Sequence, residues 1–378
     1  MKQKTLFFSV LMTSLLAIQA VSSQETNPLL AIRILEKENP GEFEWQSPAD
    51  KGPWNQVKLA RGLLTVNGKA QSGASWGSFD STVKIRTPHL TRIYRGQIEV
   101  STQSAANGTE LVILNRIPLS DYTACVTAFE SAYDHSQPEY LKALAVVVRT
   151  YALSHRHRHG TYDLCDLSHC QVYQGIPPKF PFWKKIAEAG AAYSFPPAVD
   201  TRAVYYNRCC GGMLESADQI WGGAPSPSRT GPDEWEGEVL CQADPLFRWA
   251  SSAEAGKVES VLKAMAHLPP EAVMNSFEVA EKTAFGRNKT FSAIFLLPSE
   301  GRREIRENAI RFESEFGKRY GWRVFPSDWF SIQREGGTYH FTGRGFGHGV
   351  GLCESGALRL AQLGWDWEKI LGFYFPSR

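Results

Sequence analysis

The chain has 378 residues, with 41 Lys and Arg against 39 Asp and Glu, 43% apolar and 21% charged residues. That balance supports packed cores and excludes a mainly disordered chain. With no broad basic field, it also excludes a nucleic-acid binder that works through bulk charge.

Residues 1–23 hold Lys2 and Lys4, the apolar run Leu6 to Ala17, and small residues at Ala20, Ser22 and Ser23. This is the three-part pattern of a secretory signal, so the mature chain is expected outside the cytoplasm. No later stretch reaches about 18 continuous apolar residues, and no stable membrane span is expected. From residue 24 to 117, short β-branched or alternating runs predict a β-rich part. They are Ala31 to Leu35, Val57 to Ala60, Leu63 to Val66, Val83 to Ile85, Ile98 to Ser101 and Leu111 to Leu114. Residues 118–246 change character. Leu119, Tyr122, Val126 and Phe129 recur at helical spacing, with Ser120 and Asp121 at the start. A capping box at Ser136 and Glu139 predicts a second long helix, running through Leu141, Leu144, Ala145, Val148 and Ala152 to a stop at Gly160. Lys142, Arg149 and Arg156 share one side of it. A strand is expected at Ala203 to Tyr206.

Residues 247–329 read as an inserted α/β subdomain, with helices Ala253 to Ala266 and Glu304 to Phe316 flanking a strand Phe291 to Leu297. Residues 330–378 open with a hairpin, Phe330 to Phe341, turning at Gly336-Gly337. Two helices follow, Glu354 to Leu363 and Asp366 to Phe373. Strands and helices mix without a regular βαβ alternation, which predicts an α+β fold.

Four clusters carry candidate chemistry. Glu130 ends the first helix beside Phe129 and Tyr133, where apolar surface would suit a general acid. His159, Cys165, His169 and Cys170 lie within 12 residues of sequence. They can close a tetrahedral zinc site with no open position, or the two cysteines can pair as a disulfide. Cys209-Cys210-Gly-Gly212 follows the expected strand, with one of the cysteines expected to bridge to Cys241. Gly343-Arg-Gly-Phe-Gly-His348-Gly-Val-Gly351 fits neither a dinucleotide fingerprint nor a phosphate loop. It is instead expected to bring backbone close and present His348.

In this order the clusters resemble the SpoIID/LytB family of bacterial cell-wall proteins. The matching stretches begin with Tyr94-Arg-Gly, Asn115-Arg-Ile-Pro-Leu-Ser-Asp-Tyr122, Glu130 and Leu141-Lys-Ala-Leu-Ala-Val-Val-Val-Arg-Thr-Tyr-Ala152. Cys170-Gln-Val-Tyr173, Cys210-Gly-Gly212, Asp218-Gln-Ile-Trp221, Gly343 to Gly356, Ile370-Leu and Tyr374-Phe-Pro376 follow. The resemblance implies a SpoIID-like fold with a mixed catalytic core at 118–246. It also implies a lytic transglycosylase that cuts peptide-stripped (denuded) peptidoglycan glycan to 1,6-anhydro-muramyl ends, in the periplasm or cell-wall space of a bacterium. Glu130 would be the acid and base. Lys142, Arg149, Gln171, Tyr173, Gly347, His348 and Gly349 would bind substrate. Cys165, His169, Cys170 and His159 would hold a structural zinc near the active site, and an amidase would be the functional partner. The alternative it allows is a non-catalytic wall-binding modifier that stimulates an amidase. The sequence departs from the family pattern at Ser131-Ala-Tyr133, where Met-Pro is usual, and at Cys353-Glu354, where Ser-Gln is common.

Overall fold

The computed structural model describes residues 27–376 other than 50, 79, 106, 107, 133, 224, 299 and 300, so the expected secretory segment and Tyr133 lie outside the described residues. The fold is α+β. The described residues hold eight α-helices: α1 Leu119–Glu130, α2 Pro138–Ser154, α3 Phe180–Ala189, α4 Ala217–Trp221, α5 Ala255–Met265, α6 Ala309–Tyr320, α7 Glu354–Gln362 and α8 Trp367–Tyr374. Among the described residues, no helix is long and apolar enough to cross a membrane.

The chain divides into two compact units, Met1–Val126 with Arg156–Lys184, and Thr127–His155 with Lys185–Arg378. The first unit carries two sheets. Its five-stranded sheet places Leu29–Arg33 antiparallel to Gly108–Pro118 and parallel to the short strand Leu164–Cys165. A six-stranded antiparallel sheet occupies residues 42–95. At the start of α1, Asp121 is buried and pairs with Arg95 at 2.8 Å and with Lys184, while Asn27 Oδ1 accepts from the Ser120 amide.

In the second unit α2 packs against α7 and α8. Its interior is Leu141, Ala143 to Val148 and Ala152, all buried, as the widened apolar face predicts. The expected capping box is absent: Gln137 is the N-cap and makes no side-chain cap bond. Pro138 in the first turn removes one amide that would need a partner. The Glu139 carboxylate is drawn elsewhere, to Lys142 Nζ at 2.6 Å and to the Trp367 amide at the start of α8. The helix also stops at Ser154 rather than Gly160, because the His155 amide and the Tyr151 carbonyl already close the last turn. Arg156 therefore falls off the helix, and only Lys142 and Arg149 share its side.

The segment 247–343 builds its own core. Strands Trp249–Glu254, Thr338–Gly343 and Phe330–Glu335 form one sheet; Val273–Lys282, Asn288–Leu297 and Gly301–Asn308 form another. Phe277, Phe291, Phe312, Phe316, Phe325, Phe330 and Phe341 meet in one cluster with α5 and α6. The expected helix Glu304 to Phe316 is half strand. Ile305 faces inward opposite Ala293 while its charged neighbours face water, a period-2 pattern hidden by the charge density. Asn308 then caps α6 through its side chain, accepting from the Arg311 amide at 3.0 Å. The Val273–Lys282 strand, polar and broken by register shifts, gave no alternating signal.

Because Phe312 has no exposed surface, Phe312→Ala is expected to cost about 3–5 kcal/mol in urea unfolding. Leu296→Ser, at a position 49% exposed, is expected to change stability by no more than about 0.5 kcal/mol.

Candidate active site

Glu130 ends α1, partly buried, and its Oε1 accepts from the Tyr206 hydroxyl at 2.8 Å. Tyr206 belongs to a two-residue strand, Tyr206–Asn207, that runs parallel to Leu352–Cys353. The expected strand at Ala203 to Tyr206 is thus displaced: Asp200 caps a 3₁₀ turn over Thr201–Ala203, and pairing begins only at Tyr206. The partner strand leads directly into Glu354, the first residue of α7. Glu354 is 6% exposed, and its Oε2 accepts from the Tyr140 hydroxyl of α2 at 2.9 Å. Burial, and then the Glu130 charge, push the Glu354 carboxyl up to about 8. Burial, and then Glu354, hold the Tyr140 phenol well above its usual range, so it acts as a donor.

The glycine segment 343–351 is threaded through its neighbours by backbone bonds. Phe346 exchanges both bonds with Cys209, the Gly349 carbonyl accepts from Glu215, and the Leu352 amide donates to the Tyr205 carbonyl. At Gly351, φ is +80° and an added Cβ would run into the Tyr205 carbonyl oxygen; at Gly349, φ is +74° and a Cβ would run into the Arg287 guanidinium. Arg287 is 1% exposed. Its Nη1 pairs with the buried Asp328 carboxylate and donates to the Gly347 carbonyl at 3.0 Å, while Nη2 donates to the Cys210 carbonyl at 2.8 Å. The carbonyls of Gly347 and Gly349 therefore bond to this protein's own groups.

His348 is held as well. The Val350 amide donates to its Nδ1 at 3.0 Å, which leaves the ring proton on Nε2, and the ring packs on Trp221 with centroids 4.8 Å apart. Burial, and then the Arg287 charge, pull its pKa down to about 3, against a backbone hydrogen bond with Tyr206 that favours the proton. The histidine is thus a neutral clasp on the strand that carries Tyr206. On α2, Lys142 is paired with Glu139. Arg149 is partly buried, and burial lowers its pKa.

The remaining expected site residues lie in the first unit. The Gln171 Oε1 accepts from the Tyr122 hydroxyl at 3.2 Å, and the Tyr173 hydroxyl donates to Asn115 Oδ1 at 2.5 Å. With at most 1% exposure, both side chains are core residues that hold this segment in place. The donor atoms of His159, Cys165, His169 and Cys170 all lie within 4.8 Å of one another. His159 Nε2 is 3.1 Å from Cys170 Sγ, and His169 Nε2 is 3.2 Å from Cys165 Sγ. Cys165 is placed by its strand pairing with Arg33, and Cys170 by a turn from Leu167. Hydrogen bonds from Cys165, and then from His169 and His159, hold the Cys170 thiol below its usual range against the opposing effect of burial. All seven cysteines are free. The expected bridge from Cys209 or Cys210 to Cys241 is not formed, although Cys210 Sγ and Cys241 Sγ are 3.6 Å apart.

Sequence reasoning missed Tyr206, Tyr140, Arg287 and Asp328. Arg287 sits in a Gly-Arg-Asn turn that reads as solvated surface, and only the glycine segment's unmet carbonyls hint at a buried donor.

Arg287→Met leaves Asp328 buried and unpaired, and is expected to cost about 3–5 kcal/mol by chemical unfolding. For His348, the folded chain stays unprotonated to about pH 3, whereas the unfolded chain takes a proton below about 6.5. Native stability should therefore fall as pH drops from about 6.5 towards 3, by at most ~1.4 kcal/mol per pH unit. His348→Gln should flatten that slope in thermal melts across the same range.

Residues 107–194 match the family model described as SpoIID: Stage II sporulation protein. An uncharacterized protein of Brachyspira hyodysenteriae is 27% identical over 274 residues, covering 70% of this chain and 67% of that protein. A protein of Bacillus subtilis named amidase enhancer is 25% identical over 269 residues, covering 63% of this chain but only 37% of its own length. The stretch that carries Glu130, α2 and the His/Cys cluster is thus the part of this chain that matches the SpoIID family model.

Proposed function

We propose that this protein is a lytic transglycosylase acting on peptide-stripped peptidoglycan glycan, with Glu130 as its single acid and base. The observation that carries the reading is the Tyr206–Glu130 contact at 2.8 Å, on a partly buried carboxyl with a strand and the start of α7 fixed around it. Glu130 would give its proton to the glycosidic oxygen between N-acetylmuramic acid and N-acetylglucosamine as the C1–O bond breaks. The resulting carboxylate would take the proton of the sugar's own 6-hydroxyl while that oxygen bonds C1. The product is a 1,6-anhydro end, water is not consumed, and the enzyme recovers its proton. Most glycosidases need a second carboxylate. Here Glu354 is buried and occupied by Tyr140, so it is a poor nucleophile. Lys142 and Arg149, two turns apart on α2, would attract the lactyl carboxylates that peptide removal leaves. We place the mature protein in the periplasm or cell-wall space, following the secretory pattern of residues 1–23.

The four donors His159, Cys165, His169 and Cys170 fit zinc by chemistry and by spacing: two thiols and two imidazoles within 4.8 Å. With all four positions filled by protein, the ion would supply local structure rather than an activated water.

A second reading, favoured by the name of the Bacillus subtilis relative, is a wall-binding modifier that stimulates an amidase. Incubation with amidase-treated glycan and mass spectrometry of the products separates the two. Anhydro-muramyl ends are expected from wild type. Glu130→Gln should reduce them by roughly 10²-fold or more, and Glu354→Gln, which keeps an acceptor for Tyr140, should leave them near the wild-type level. No anhydro product together with faster amidase turnover would support the second reading.

A further inference from the structure

The second unit holds another convergence of ligand-type atoms, separate from the His159/Cys165/His169/Cys170 cluster. Cys210, Asp233, Cys241 and Cys353 each place one donor atom within 4.8 Å of the others, and all four residues are buried. They arrive from four different places in the chain. Cys210 follows Tyr206–Asn207, Asp233 separates the strands Gly231–Pro232 and Glu234–Trp235, Cys241 follows Glu238–Val239, and Cys353 ends Leu352–Cys353.

From this geometry we infer that these four residues form a second, structural metal site that takes zinc. A tetrahedral zinc with Zn–S bonds of about 2.3 Å sets its sulfurs about 3.8 Å apart. Cys210 Sγ and Cys241 Sγ are 3.6 Å apart, and Cys210 Sγ is 3.0 Å from Asp233 Oδ2. Three thiolates and one carboxylate carry the same total charge as the four thiolates of a common structural zinc centre.

The surroundings resemble an outer ligand shell. The Tyr374 hydroxyl donates to Asp233 Oδ1 at 3.1 Å and so fixes the carboxylate's orientation. The Cys210 amide donates to Cys353 Sγ at 3.3 Å, a contact that favours a thiolate. Gly356 of α7 leaves room for the Tyr374–Asp233 pair, since a Cβ there would strike both side chains.

A disulfide accounts for less of this. Even with Cys209, whose thiol also contacts Cys241, pairing of sulfurs would leave the Asp233 carboxylate, 0% exposed, bonded to a thiol and a phenol. A dry carboxylate bonded only to neutral donors is costly unless a cation balances it. Arg229 lies within electrostatic reach, but its guanidinium donates to the Pro232 carbonyl. A divalent ion would balance all four donors at once. It would also tie the turn after Tyr206 to the start of α7, fixing the segments that present Tyr206 and Glu354.

The test is metal analysis of the full chain purified with its metals retained. Wild type should hold two zinc ions per chain. Cys165→Ala/Cys170→Ala, which dismantles the first cluster, should keep one zinc, released on titration with an organomercurial. Exchanging that ion for Co²⁺ should give a thiolate-to-cobalt charge-transfer band, and Asp233→Ala or Cys241→Ala in the same background should abolish both band and metal. The inference is overturned if the Cys165→Ala/Cys170→Ala protein is folded by circular dichroism but metal-free. A disulfide among Cys209, Cys210, Cys241 and Cys353 in non-reduced wild type, found by peptide mass spectrometry, would overturn it too. Should that double variant not fold, cobalt-loaded wild type decides. Two equivalents with thiolate bands support the second site, and a single equivalent that Asp233→Ala leaves untouched overturns it.

Discussion

The second unit depends on one buried cation. Arg287 brings a full charge into a space with almost no water, which is costly. It is offset by Asp328 and by two carbonyls, Gly347 and Cys210, that the glycine-rich backbone would otherwise leave without donors. The same guanidinium lies flat where Gly349 lacks a side chain, so charge, hydrogen bonding and the glycine spacing are one constraint. The arginine comes from a hairpin turn within 247–343. That segment therefore contributes a structural contact to the loop beside Tyr206, as well as its own phenylalanine core.

Much of this was legible in sequence. Six of the ten strands between residues 29 and 118, both long helices and the hairpin at Gly336-Gly337 follow from side-chain period and turn chemistry, which are local. The misreadings share one cause, competition from tertiary partners. Glu139 leaves the cap for the start of α8, His155 ends α2 early, and the charged strand before α6 imitates a helix until Ile305 meets Ala293. Glu130 and the four His/Cys donors were visible because they sit close in sequence or in a recognisable order. Tyr206, Tyr140 and Arg287 were not, since each acts through partners at least 41 residues away. His348, prominent in sequence, turns out to hold backbone.

The position of Glu354 gains meaning from its surroundings. Burial, and then the Glu130 charge, push this carboxyl up to about 8, so at neutral pH it is largely uncharged. A protonated glutamate and a glutamine are nearly the same shape and both neutral, and each offers an oxygen to the Tyr140 hydroxyl. Exchanging one for the other would therefore change the formal charge of the sequence more than the charge beside Glu130.

The pairing of Tyr206–Asn207 with Leu352–Cys353, and the bond from Tyr140 to Glu354 across 214 positions, set a chronology. Contacts of such separation are slow to form, because a long loop must close before they give any return. Helix α2 is made well before these partners, so Glu130 acquires its finished neighbourhood only once Leu352–Cys353 and Glu354 have been made and have docked. A chain interrupted before residue 352 would carry the Glu130 side chain without the strand and helix start that surround it.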